Sequence, residues 1–118
     1  MTMTSAEMKC LRESMGLTTK WLAARWNVAE FSVKRWERDR YLPENLETDL
    51  RGLKRRFDTE VRHTAAVTAE SGEEAAVIVP RTEPESTGGM PAAWHRAIAQ
   101  RARELSGARI LYTDDEQL

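Results

Sequence analysis

Along the first seventy residues, apolar side chains recur at steps of three and four, the signature of helices with one buried face. Ser5 is placed to cap a first helix from Ala6 to about Met15, with Met8, Leu11 and Met15 on one face and Gly16 as the stop. Cys10 reads as a further core-facing side chain of that helix. Thr18 caps a second helix, about Thr19 to Trp26, which turns Leu22, Ala23 and Trp26 inward. Asn27 ends it, because Asn tolerates the left-handed backbone that a tight turn demands. A third helix, about Glu30 to Arg38, buries Val33 and Trp36, and Asp39 is expected to end it as Asn27 ends the second. Pro43 suits the start of a fourth helix near Glu44. Its stripe of Leu46, Leu50, Leu53, Phe57 and Val61, extended by Thr64 and Val67, carries it to about Glu70. Gly52 inside that stripe reads as a close helix crossing, and the stripe itself as a packing face for a lid or a partner subunit.

After Ser71–Glu74 the pattern changes. Ala75 to Val79 is a β-branched run closed by Pro80 and reads as a strand. Arg81 to Met90 is a polar loop, the segment most able to move. Pro91 opens a helix with Trp94, Ile98, Ala102 and Leu105 on one face and Gly107 as its cap. Arg109 to Thr113 is a second strand, and Asp114 to Leu118 an acidic tail that frays. The expected fold class is therefore mainly α: an N-terminal helix-turn-helix bundle and a long helix that crosses from it into a small C-terminal β-α-β dimerisation part, with a DNA-binding domain over residues 1–60 and a dimerisation region over 61–118. Two strands of this length do not make a stable sheet alone. They need the long helix, a second copy of the chain, or both, and this is the physical case for a homodimer.

Charge changes the picture more than composition does. The formal net charge is −1 over 118 residues, yet residues 1–63 hold 13 Lys/Arg against 10 Asp/Glu, and residues 64–118 hold 5 against 9. A basic first half suits phosphate attraction, and the overall balance argues against indiscriminate binding of polyanions. No apolar run reaches a membrane-spanning length, and the start of the chain lacks a signal-peptide pattern, so a cytoplasmic protein without a membrane partner is expected. Nothing reads as catalytic. His63 and His95 have no metal-ligand spacing, Cys10 is alone, and no cofactor or metal is expected. Trp94 reads as core, and Asp114, Asp115 and Glu116 as solvated charge.

Two short amphipathic helices joined by a tight turn, the second edged with Lys and Arg, point to duplex DNA. Residues 5 to 57 resemble the Cro/C1-type (XRE) helix-turn-helix family of transcriptional regulators. The resemblance is carried by L-R-E-S-M-G-L-T-T-K-W-L-A and V-A-E-F-S-V-K-R-W-E-R-D-R-Y-L-P. The whole layout, with W-H-R-A-I-A-Q and the closing L-Y-T-D-D, is similar to YdiL-like and anti-CRISPR-associated autorepressors. The family pairing of L-R-x-x-x-G with W-E implies a buried ion pair between Arg12 and Glu37. By family position Glu30, Phe31, Ser32, Lys34 and Arg35 face DNA, with Thr19, Lys20, Arg38 and Arg40 on phosphates. Arg35 is the first choice for guanine, Lys34 for a base or a phosphate, Glu30 for cytosine N4 and Phe31 for a thymine methyl. Two departures stand out: Ala29 replaces the usual Ser or Thr cap, and Asp39 the usual Gly. Trp21 is expected to pack against the C-terminal part, and Lys54-Arg55-Arg56 is a solvated face or a flanking phosphate or RNA contact. The resemblance implies a homodimeric repressor of an inverted-repeat operator that regulates its own operon. The alternatives are an antitoxin, a regulator that also binds RNA, and a protein-interaction module on the same scaffold.

Overall fold

The structure is a computed structural model describing residues 2–72 and 74–115. The chain is mainly helical with one small parallel sheet, in the order α1 (Ser5–Ser14), α2 (Thr19–Trp26), α3 (Glu30–Arg38), α4 (Glu44–Glu70), β1 (Ala76–Val79), α5 (Ala92–Ser106) and β2 (Arg109–Tyr112). It divides into two compact units, Met1–Arg55 and Arg56–Leu118, so the boundary falls inside α4 and ahead of residue 60.

The first unit closes around Met8, Met15, Leu17, Leu22, Val33 and Leu50, each at most 2% exposed. Its first helix starts one residue earlier than the sequence suggests. Thr4, not Ser5, is the cap: its Oγ1 accepts from the Glu7 N–H at 3.0 Å, and the Glu7 carboxylate accepts from the Thr4 N–H at 2.8 Å. This reciprocal box satisfies two orphan donors at once. Ser5 instead donates its hydroxyl to the Arg40 carbonyl at 2.9 Å, tying the segment after α3 to α1. Cys10 is exposed rather than core-facing, because it lies nearly half a turn off the Met8–Met15 stripe. Trp21 is half-buried, with the Arg25 guanidinium 5.7 Å from its ring centroid. Gly52 marks no helix crossing: a Cβ there would meet only the tip of Arg55, at 3.6 Å.

The second unit buries Phe57, Val61, Trp94, Ile98, Ala99 and Ala102. The rings of Phe57 and Trp94 meet edge to face, centroids 5.2 Å apart, and the Trp94 Nε1–H donates to Glu60 at 3.1 Å. The α4 stripe turns at its end from Val67, which is 47% exposed, to Thr68, which is 8% exposed. Thr68 tolerates burial because its hydroxyl is fully engaged, lying 2.9 Å from the Thr64 carbonyl and 3.0 Å from Ser106 Oγ. On α5 the inward set is Trp94, Ile98, Ala99 and Ala102, while Leu105, expected on that face, is 68% exposed.

Strands β1 and β2 pair in parallel within the chain, Ala76 opposite Arg109 and Val79 opposite Tyr112, with α5 as the crossover. The polar loop between β1 and α5 holds a single 3-10 turn, Glu83–Glu85, closed by a Thr82/Glu85 box. Glu83 accepts from the Ala92 N–H at 3.1 Å and so caps α5, which Pro91 cannot do with its own side chain. Glu85 also takes the Thr113 hydroxyl. Asp114 and Asp115 both engage Arg81, whose guanidinium lies 3.9 Å from the Tyr112 ring centroid. Residues 116–118 of the expected acidic tail lie outside the described residues.

Candidate nucleic-acid interface

Helices α2 and α3 and their three-residue turn set the geometry. Thr18 Oγ1 accepts from the Trp21 N–H at 2.9 Å and starts α2. Asn27 ends it at φ 54°, ψ 48°, among the described residues the one non-glycine with positive φ. That left-handed residue reverses the chain in little space, and the Val28 N–H returns to the Ala23 carbonyl at 3.0 Å. Asp39 does not repeat the device. Its φ is −154°, and α3 closes with the Asp39 and Arg40 N–H groups both on the Arg35 carbonyl at 3.1 Å.

Three interactions hold α3 in place. Val33 is fully buried, and the Trp36 ring meets Trp26 at 6.3 Å between centroids. The Arg12 guanidinium grips the Glu37 carboxylate with two bonds, Nε to Oε2 at 2.5 Å and Nη2 to Oε1 at 2.9 Å, and gives Nη1 to the Leu17 carbonyl at 2.8 Å. The side chains are 11% and 7% exposed. The hydrogen bonds to Glu37 hold the Arg12 pKa above its ordinary value, against the opposing effect of burial. A further clamp was invisible to sequence reasoning. Asp49 of α4 accepts from Arg25 at 2.7 and 3.0 Å and from Trp26 Nε1 at 2.7 Å, fixing the end of α2. The bonds from Arg25, with help from Trp26, hold the Asp49 carboxyl below its ordinary range.

With Val33, Trp36 and Glu37 turned inward, α3 presents Phe31, Lys34 and Arg38 as exposed side chains, and Glu30, Ser32 and Arg35 as partly exposed ones. Phe31 is 64% exposed. Glu30 is held from two sides: its carboxylate accepts the Thr19 hydroxyl at 2.7 Å and lies 3.9 Å from Lys34 Nζ. Thr19 is therefore engaged with Glu30, while Lys20 beside it is exposed. Arg38 leans on Asp39 at 3.3 Å. Ala29 offers no side-chain cap, and Glu30 is the acidic residue of the first turn of α3. Two shallow recesses flank the helix. Lys9, Thr19, Lys34 and Arg38 border one of about 640 Å³ together with the Arg12–Glu37 pair. Ser32, Arg35, Trp36, Arg40 and Tyr41 border the other, of about 280 Å³. Thus Thr19, Lys34 and Arg38 come together on one side and Ser32, Arg35 and Arg40 on the other. Lys9 and Tyr41 join this surface without having been singled out from sequence. Tyr41, 69% exposed and next to Arg40, carried a readable signal in its position just past the basic helix.

Among the described residues no cluster of His, Cys, Asp and Glu side chains could hold a metal ion, and no helix is long and apolar enough to cross a membrane. Comparison with protein-family models and with curated proteins finds no match for this sequence.

Proposed function

We propose that the protein is a sequence-specific DNA-binding transcriptional repressor of the Cro/C1-type (XRE) kind. It acts as a homodimer in the cytoplasm on an inverted-repeat operator, and on its own operon. The observation that carries the reading is the α2–turn–α3 arrangement. A left-handed Asn27 joins two short helices, the second is locked from behind by Arg12–Glu37, and its free face presents Phe31, Lys34, Arg35 and Arg38. In such a unit the second helix enters the major groove and the first crosses the backbone. Arg35 then addresses a base edge, Arg38, Arg40 and Lys20 take phosphates, and Glu30, positioned by Thr19, meets a base donor. One such helix reads few base pairs, so two copies on half-sites roughly 34 Å apart supply the needed specificity, and an operator overlapping a promoter excludes polymerase.

The test is selection of bound duplexes from a random DNA pool, with light scattering on the same sample. An enriched inverted repeat with half-sites one helical turn apart, bound by a dimer, is the expected result. A well-folded protein that enriches no motif would overturn the reading in favour of an RNA- or protein-binding role.

A further inference from the structure

The cations of α3 are not equivalent. Lys34 lies toward Glu30 and Arg38 toward Asp39. Arg35 has no carboxylate and no hydrogen-bond acceptor for its guanidinium among the described residues. Its guanidinium carbon instead sits 5.6 Å from the centroid of the Phe31 ring, one helical turn earlier. A ring face holds a cation by its quadrupole without consuming any N–H donor. Arg35 is therefore oriented while its donors stay free. Phe31, for its part, is left 64% exposed on a face otherwise made of Glu, Ser, Lys and Arg.

These two side chains have complementary uses in a major groove. The free fork of an arginine matches guanine O6 and N7, and an apolar ring matches the C5 methyl of thymine. The two side chains stand one helical turn apart along α3, and base pairs succeed one another every ~3.4 Å along the duplex, so the ring and the guanidinium fork can reach neighbouring base pairs. We infer that Phe31 and Arg35 act as one reading unit for a guanine with a 5-methylpyrimidine at the adjacent base pair. Thymine satisfies it, and so does 5-methylcytosine, which presents the same C5 methyl. Unmodified cytosine does not. The protein would thereby distinguish methylated from unmethylated cytosine at that position. This rests on the DNA-binding reading above, and concerns the base chemistry that the same face selects.

The experiment uses the full chain and the duplex obtained by selection. Binding is measured on four versions of the site, with thymine, deoxyuridine, cytosine or 5-methylcytosine beside the guanine. Removing one methyl group removes about fourfold in affinity if that group is buried on binding. The wild type is therefore expected to bind thymine about fourfold better than deoxyuridine, and 5-methylcytosine better than cytosine by a similar factor. Phe31→Ala should bind thymine and deoxyuridine alike, and should also relax the preference for guanine, because the guanidinium has lost its support. Phe31→Leu should keep the methyl preference while still relaxing the guanine preference. Arg35→Ala should lose the guanine preference and keep the methyl effect. Both substituted positions, Phe31 and Arg35, lie on the outer face of α3, and circular dichroism checks that the helices are retained. Selected sites without a guanine beside a thymine would overturn the inference while leaving DNA binding standing. So would wild-type affinity indifferent to the methyl group. Absence of any selected duplex would overturn both.

Discussion

Replacing Glu37 by Gln removes one charge and keeps the shape of the side chain. In the native unit the carboxylate receives two bonds from Arg12, and the two side chains are 7% and 11% exposed. The amide can keep at most one of those contacts with proper polarity, and the guanidinium is left without its counter-ion in a site that water barely reaches. Breaking a buried pair from one side costs about 3–5 kcal/mol. Arg12 retains the Leu17 carbonyl at 2.8 Å and Glu37 is not wholly dry, so a loss of about 3 kcal/mol is expected. For a unit this small, with a urea slope of about 1 kcal/mol per M, the midpoint should fall by about 3 M. Amide NMR across α1–α3 during urea unfolding isolates this unit from Arg56–Leu118. The double replacement Arg12→Met, Glu37→Leu removes both charges together and should recover more than half of the loss, because desolvation then has nothing left to penalise. A Glu37→Gln loss below about 1 kcal/mol would refute the burial argument. A double-mutant loss equal to the sum of the two single losses would refute the coupling.

Three other outcomes follow. Asp49 has a folded pKa held below its unfolded value, so it stabilises the protein at pH above the unfolded pKa and that contribution disappears as pH falls through the folded one. Asp49→Asn should therefore cost about 1 kcal/mol at pH 7, discounted for a carboxylate one-third exposed, and progressively less as pH falls through the acidic range; a loss that does not shrink with acid would contradict this. Arg35→Ala should weaken the selected site by about 10-fold or more and relax one base position, whereas Arg38→Ala should weaken all sequences alike and lower the salt slope by about one; identical behaviour of the two mutants would dissolve the division between base and phosphate contacts. If the C-terminal unit is the dimer contact, Ile78→Lys, which charges a 51% exposed side chain on β1, should shift light scattering toward monomer; an unchanged dimer would place the interface elsewhere.

The helices were legible because their ends carry local chemistry. Thr18, Asn27, Pro43 and Gly107 act within a few residues, and each stands where the sequence places it. Where two neighbouring residues offer the same chemistry, the sequence does not choose: Thr4 and Ser5 can both cap, and the Glu7 three positions after Thr4 decides. Hydropathy also misjudged the ends of stripes. Val67 is more apolar than Thr68, yet Thr68 is buried, because Ser106 receives or returns its hydroxyl bond from 38 residues away. Of the interface, the face of α3 was readable from periodicity, since Val33 and Trp36 leave only one side free. The clamp of Asp49 on Arg25 and Trp26 was not, as charges 24 residues apart leave no periodic trace. Nor was the Phe31–Arg35 contact, since spacing permits many i,i+4 pairs and only side-chain direction selects one.

The inner and outer faces of α3 answer to different demands. Val33, Trp36 and Glu37 carry its attachment, and the exposed aromatic and basic side chains opposite contribute little to it. Substitutions on the outer face can therefore accumulate with small thermodynamic penalty. On the DNA-binding reading proposed above, a lineage built on this chain can wander among operator sequences while its scaffold stands still, and two descendants that share every buried residue can end up controlling unrelated promoters.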